Sequence, residues 1–222
     1  MTEIEECLQM RENFYAFLYR MYLEEPPRKL AEDLVNKNVP IPKSVSLNDE
    51  VADGFDLLKE YMNKCTDVDD VCEKLRDEYT RLFLGPPVAI IPPYESVYGA
   101  ETRDGTPERM NILLKVKEAY RRAGIIKSKE YKEPEDHIAF ELRFMHYLCE
   151  EALKAIGDGA RVRNCLTLQK EFMDEHLRQW VPKFCDDLYD NKRSDFYKGI
   201  AKIAKGFLLL DSELIDELLE GL

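Results

Sequence analysis

The chain has 222 residues, 45% of them hydrophobic, which is enough for a sizeable core and excludes an intrinsically disordered segment. Against 32 Lys and Arg stand 44 Asp and Glu, a net charge of -12, which argues against nucleic acid or anionic lipid as a partner and favours cationic ones. The opening MTEIEE lacks the basic and then apolar regions of a secretory leader, and the apolar runs Val88 to Ile91 and Phe207 to Leu210 fall far short of the ~20 residues that cross a bilayer. A cytoplasmic protein without membrane insertion is expected. The six cysteines at 7, 65, 72, 149, 165 and 185 form no Cys-x-x-Cys pair and read as reduced core residues rather than a disulfide framework or zinc site.

Helical periodicity dominates the chain. Ile4, Cys7, Leu8, Phe14, Leu18, Met21 and Tyr22 recur at three- and four-residue spacing between a Thr2-x-x-Glu5 capping box and Pro26-Pro27, predicting a first helix of about six turns. A short helix around Leu30 to Asn36 follows, then a loop with Pro40 and Pro42, then a helix carrying Val51, Phe55, Leu58 and Met62. Another is expected from about Asp67 to Leu84, with Val71, Leu75, Tyr79, Leu82 and Phe83 on one face. From Gly85 to Thr106 four prolines in two pairs exclude a regular helix, and the segment is too apolar for a solvated linker. Helices resume at Thr106-Pro107 and run to Gly124; Pro134 opens the next, which ends at Gly157. A further helix reaches Trp180, Pro182 begins a short successor, and Ser194 and Asp211 cap the last two. No strand alternation and no repeat is visible. The fold class is therefore all-α, one domain over 1–222, a bundle of about ten helices with one long Pro-rich loop.

No catalytic constellation emerges. The nucleophile-elbow, phosphate-loop and His-Glu-x-x-His patterns are absent. The residues three before His137, His146 and His176 are Pro134, Arg143 and Met173, so no helical di-metal carboxylate pattern arises. Asp136-His137 reverses the His-Asp doublet of metal phosphohydrolases. No catalytic residue, metal or cofactor is assigned. Three clusters remain near the irregular segment: Glu78-Tyr79-x-x-Leu82-Phe83, Pro92-Pro93-Tyr94-Glu95-Ser96-Val97-Tyr98 and Glu133-Pro134-Glu135-Asp136-His137. The first also fits a core-facing stripe and the third an ordinary helix start with acids in its first turn. The hydroxyls and rings of the second have no helical face to serve.

Taken in order, Glu78-Tyr79-x-x-Leu82-Phe83, Tyr94-x-Ser96-x-Tyr98 and Glu133-Pro134-x-Asp136-His137 resemble the signature motifs of the TorD/DmsD family of redox-enzyme maturation chaperones. His176-Leu177-x-x-Trp180-x-Pro182-x-Phe184 adds a fourth matching stretch. The resemblance implies a helical protein that binds the twin-arginine signal peptide and the folded body of a molybdopterin-type oxidoreductase, carrying molybdenum or tungsten, until its cofactor is in place. The family's peptide site is usually placed around the residues that here are Tyr94, Ser96, Tyr98, Asp136 and His137.

Two guanidinium groups followed by an apolar stretch call for carboxylates beside an apolar groove. Glu133, Glu135, Asp136 and Glu95 are the expected partners of the arginines; Tyr79, Phe83, Pro93, Tyr94, Tyr98 and Trp180 are expected to line the groove. Asp136 has a second reading as the cap of its own helix, and His137 a second reading as a near-neutral titrating switch beside that of a structural histidine. Two rivals stay open: a nitrate-reductase-type assembly factor for a non-exported oxidoreductase subunit, and a weak nucleotide hydrolase. A monomer and a helix-exchanged dimer are equally compatible with the sequence.

Overall fold

The periodicity becomes ten α-helices and two π-helical turns among the residues that the computed structural model describes, namely 2–39, 48–85, 88–100, 106–128 and 130–222. In chain order these are α1 (Glu3–Leu23), α2 (Arg28–Val35), α3 (Asp49–Lys64), α4 (Val68–Tyr79), the π turn Thr80–Leu84, α5 (Glu95–Gly99), α6 (Thr106–Arg122), α7 (Ile138–Lys154), α8 (Gly159–Phe172), the π turn Met173–Leu177, α9 (Arg178–Asp190) and α10 (Asp195–Gly221). The fold is all-α, as expected, and among the described residues the one β feature is an isolated bridge. None of the described helices is long and apolar enough to cross a membrane.

Local chemistry sets the helix starts. Thr2 Oγ1 accepts from the Glu5 amide while Glu5 accepts from the Thr2 amide, the reciprocal capping box. Asn48, Asp67 and Asp158 cap α3, α4 and α8 by accepting from the amide three residues on, and Ser194 caps α10 at 2.8 Å from the Tyr197 amide. All six cysteines are free, four of them buried.

The structure departs from the periodic reading in five places. The helix expected to run unbroken to Leu84 changes to π geometry at Thr80, closed by a bond from the Gly85 amide to the Thr80 carbonyl with Gly85 at φ 76. Beyond Pro93 the irregular segment winds into α5, because proline bars a helix only up to its own position and the next donors find a carboxylate, described below. Pro134 does not open α7; His137 is the N-cap, and Pro134 to Asp136 form a turn before it. Pro182 lies inside α9 as its fifth residue, just after a π turn, where one missing donor is tolerated. Asp211 caps nothing: α10 runs through it for 27 residues. The Pro40 and Pro42 loop, Pro86-Pro87 and residues 101–105 lie outside the described residues.

Two compact units organise these elements: Met1–Arg20, Pro93–Val181 and Leu208–Leu222 in the first, Met21–Pro92 and Pro182–Phe207 in the second. In the first, Leu8, Ala152, Ala155, Val162 and Leu166 form an apolar core. The same unit buries a polar knot. The Arg11 guanidinium pairs with both oxygens of Asp211 and with Gln169 Oε1, and the Tyr15 hydroxyl donates to Asp211 at 2.6 Å. Pairing of the Arg11 Nε and Nη2 with Asp211 offsets part of the cost of burying the charge, although Nη1 finds no partner among the described residues, and this pairing explains an aspartate in mid-helix. In the second unit the rings of Tyr22, Tyr79, Phe83, Phe184 and Tyr197 pack against one another. There α3 and α10 approach closely enough that a Cβ on Gly54 would sit 2.9 Å from the Gly199 carbonyl, so both positions need glycine.

Candidate functional site

The second and third sequence clusters meet in the first unit. Pro92-Pro93 keeps the chain extended, and the Pro93 carbonyl accepts from the Ile138 amide at 2.9 Å while the Glu95 amide donates to the Asp136 carbonyl at 3.0 Å. These two bonds make an antiparallel bridge between Tyr94 and His137. Asp136 then supplies the missing cap of α5, accepting from the Ser96 amide at 3.0 Å, so it caps the neighbouring segment and not its own helix. His137 Nδ1 accepts from the Ala139 amide at 3.1 Å, which leaves the ring proton on Nε2, and the Tyr94 ring stands edge-on to it at 5.2 Å.

Burial lowers the His137 pKa to about 4, with Lys127 pushing the same way and Glu133 opposing. The expectation of a histidine titrating near neutral pH is thereby corrected: a 4% exposed imidazole resists taking a charge. Glu95 and Asp136 are buried too, so of the four acids expected to meet arginines only Glu133 and Glu135 face solvent, the first exposed and the second half-buried. Glu133 accepts from the Tyr94 hydroxyl. Glu135 lies 3.4 Å from Lys117 and 3.9 Å from Lys127, whose ammonium also bonds the Glu133 carbonyl.

Behind this surface lies a buried polar chain. Glu95 receives His176 Nδ1 at 2.9 Å, and Glu141 receives the Trp180 indole N–H at 2.9 Å. Half-buried Tyr98 stacks on Trp180 at 5.6 Å. Trp180 is 0% exposed and lines no open groove; its indole serves the core. Tyr79 and Phe83 belong to the aromatic core of the second unit, where the Tyr79 hydroxyl donates to the Tyr22 carbonyl at 3.2 Å. The structure therefore brings together Pro93, Tyr94, Glu95, Ser96, Tyr98, Glu133, Glu135, Asp136, His137 and Trp180 in the first unit, with Tyr79 and Phe83 placed elsewhere.

A cleft of about 300 Å³ adjoins the cluster, lined by Tyr120, Ile125, Ile126, Lys127, Ser128, Tyr131, Phe140, Arg143, Phe144 and Tyr147. Phe140 touches the His137 ring at 5.8 Å and Tyr131 at 5.4 Å, and the Arg143 guanidinium sits over Tyr131 at 5.5 Å. Ile126 is 88% exposed at its edge. The sequence reading missed these lining residues, since aromatics on α7 fit a core stripe equally well. It also missed Glu141, whose signal was present: a carboxylate three residues after Ile138 and four before Met145 falls on the apolar face of α7.

Among the described residues one group could hold a cation: Glu12, His146 and Glu150 offer ligand atoms all within 4.8 Å of one another. His146 Nε2 already hydrogen-bonds Glu12 at 2.6 Å, and its Nδ1 lies 3.7 Å from a Glu150 oxygen.

Comparison with known proteins adds the following. Residues 46–186 match the family model described as nitrate reductase delta subunit. The chaperone protein TorD of Vibrio cholerae serotype O1 (strain M66-2) is 30% identical over 177 residues, which is 79% of this chain and 76% of that one. TorD of Photobacterium profundum is 26% identical over 198 residues, 84% and 88% of the two chains. A crystal structure of a candidate redox enzyme maturation protein from Archaeoglobus fulgidus aligns over 90% of this chain and 94% of that chain at 22% identity, with a TM-score of 0.47.

Proposed function

We propose, since this chain belongs to the TorD/DmsD family of redox-enzyme maturation chaperones matched by the nitrate reductase delta subunit model, that it binds the twin-arginine signal peptide of a molybdenum or tungsten oxidoreductase in the cytoplasm and holds it until cofactor insertion is complete. The observation that carries this reading is the Tyr94–His137 bridge, which sets two solvent-facing carboxylates beside an aromatic cleft. A peptide with two arginines and an apolar stretch has the matching chemistry. The guanidinium groups would meet Glu133, whose carboxylate accepts from Tyr94, and Glu135, where they would replace Lys117 and Lys127, because a planar fork bonds a carboxylate bidentately where an ammonium meets it as a point charge. Tyr131 already accepts one guanidinium on its face, that of Arg143, and the apolar stretch would follow into the cleft over Phe140 and Tyr147. Asp136 and Glu95 contribute from within, by holding α5 in place.

Calorimetric titration of a client signal peptide tests this. Replacing Arg-Arg by Lys-Lys in the peptide is expected to weaken binding to the wild type about tenfold, roughly 1.4 kcal/mol, and to have less effect on Glu133→Gln. Equal affinity in all four combinations would remove the arginine site. The description of the matching family favours a second reading, an assembly factor for an oxidoreductase subunit that is not exported. Co-purification of a client that persists after deletion of its N-terminal leader would support that reading over the first.

A further inference from the structure

The carboxyls of Glu95 and Glu141 lie within hydrogen-bonding reach of each other, 5% and 0% exposed. Among the described residues no N–H or O–H reaches Glu141 Oε1, so a bond between the two carboxyls forms only if one of them carries a proton. With a proton on Glu141 every atom is satisfied. Its O–H donates to Glu95, its other oxygen accepts from the Trp180 indole, and Glu95 accepts from His176 Nδ1. Without that proton two carboxylates abut in a dry core, and each costs several kcal/mol to keep there.

The surroundings do not replace the proton. Asp136, in the turn before α7, adds a negative charge, Tyr120 of α6 stands in the same field, and among the described residues the imidazole of His176 is the one cationic-capable group bonded to the pair. Burial first, and the Glu95 carboxyl second, push the Glu141 pKa well above the usual carboxylate range, with only the Trp180 hydrogen bond opposing. Two chain segments meet at this point. Glu95 opens α5, the helix that carries Ser96 and Tyr98, and His176 lies in the π turn Met173–Leu177. On its other side His176 lines a small pocket with Arg122, Glu171 and Glu175.

We propose that one proton shared by Glu95 and Glu141 latches α5 to the core of the first unit, and that its loss to solvent releases the Tyr94 to Tyr98 segment. Release follows from repulsion, since α5 is the short element and α7 the long one. The latch does not depend on the segment binding a peptide. It makes the candidate surface responsive to anything that takes the proton, a rise in pH above all.

Trp180 is the one tryptophan of the chain and is bonded directly to Glu141, so its emission reports the site without a label. Emission and thermal unfolding are measured in a pH series rising from the ordinary carboxylate range into mildly alkaline solution, on the wild type and on Glu141→Gln. Glutamine offers the same acceptor to Trp180 and an N–H to Glu95, mimicking the protonated acid. The wild type is expected to show a single titration of emission with a parallel fall in Tm, and the variant neither. A flat wild-type emission, or a variant that titrates like the wild type, would overturn the latch. Should the variant not fold, hydrogen exchange of the Ser96 amide in the wild type decides. Corrected for base catalysis, it rises at least tenfold from about pH 7 to about pH 9 if the segment is released, and stays constant if the proposal is wrong.

Discussion

The two aromatic clusters that hold the motif residues are built differently. Around Tyr79 and Phe83, rings meet edge to face, and the hydroxyls of Tyr79 and Tyr197 are satisfied by the backbone carbonyls of Tyr22 and Met21, each at 3.2 Å. Around Tyr94 and His137 the rings share their space with Glu95, Asp136, Glu141 and His176, all buried. In the first arrangement packing dominates, because rings bury large area and carry few polar atoms, of which the buried Tyr22 hydroxyl finds no partner among the described residues. The second keeps ionisable groups in a dry interior, where each must be bonded or neutral. Buried ionisable groups of this kind, present also in the Arg11–Asp211 knot, set the first unit apart from the ring cluster of the second.

The contrast is broken most severely at Phe83, which is 4% exposed. Phe83→Ala is expected to lower the unfolding free energy by about 3 to 5 kcal/mol in urea titration; a loss below about 1 kcal/mol would show that this ring is not a core element. Next comes the pH response of His137. Its folded pKa of about 4 lies below the unfolded value of 6.5, so between these the unfolded chain binds the extra proton and stability falls as the solution is acidified. The loss attributable to His137 from pH 7 to pH 4 is about 3 kcal/mol. His137→Asn, which keeps a capping acceptor without a titrating ring, should be less acid-sensitive by that amount, while identical acid curves would refute the assignment. The smallest effect sharpens the comparison from the other side. Ser194 donates to Glu78 at 2.6 Å and caps α10, so Ser194→Ala is expected to cost about 1 kcal/mol in the same urea titration.

Most helices were legible because their apolar stripes and caps are local properties: Thr2, Asn48, Asp67 and Ser194 each announce a helix within four residues. What stayed hidden depends on contacts distant in sequence. Asp211 has the composition of a cap, and only Arg11 and Tyr15 make it an interior residue. The helical turn at Glu95–Gly99 is stabilised by a carboxylate 40 residues away in sequence, that of Asp136. The motif order grouped Tyr94, Ser96 and His137, which share the first unit, whereas spacing could not tell that Trp180 faces inward or that Phe83 packs in a different unit. Periodicity identifies an apolar face but not its neighbour.

The pairing of Arg11 with Asp211 spans 200 positions of the chain. A nascent polypeptide that has not yet delivered its closing helix to the tunnel exit holds a guanidinium for which no carboxylate yet exists. Leu8, one turn earlier in the same helix, shares its apolar cluster with Leu218 and Leu219. The first unit therefore completes only after synthesis of the last helix, and ribosome-bound or prematurely terminated chains cannot assemble it.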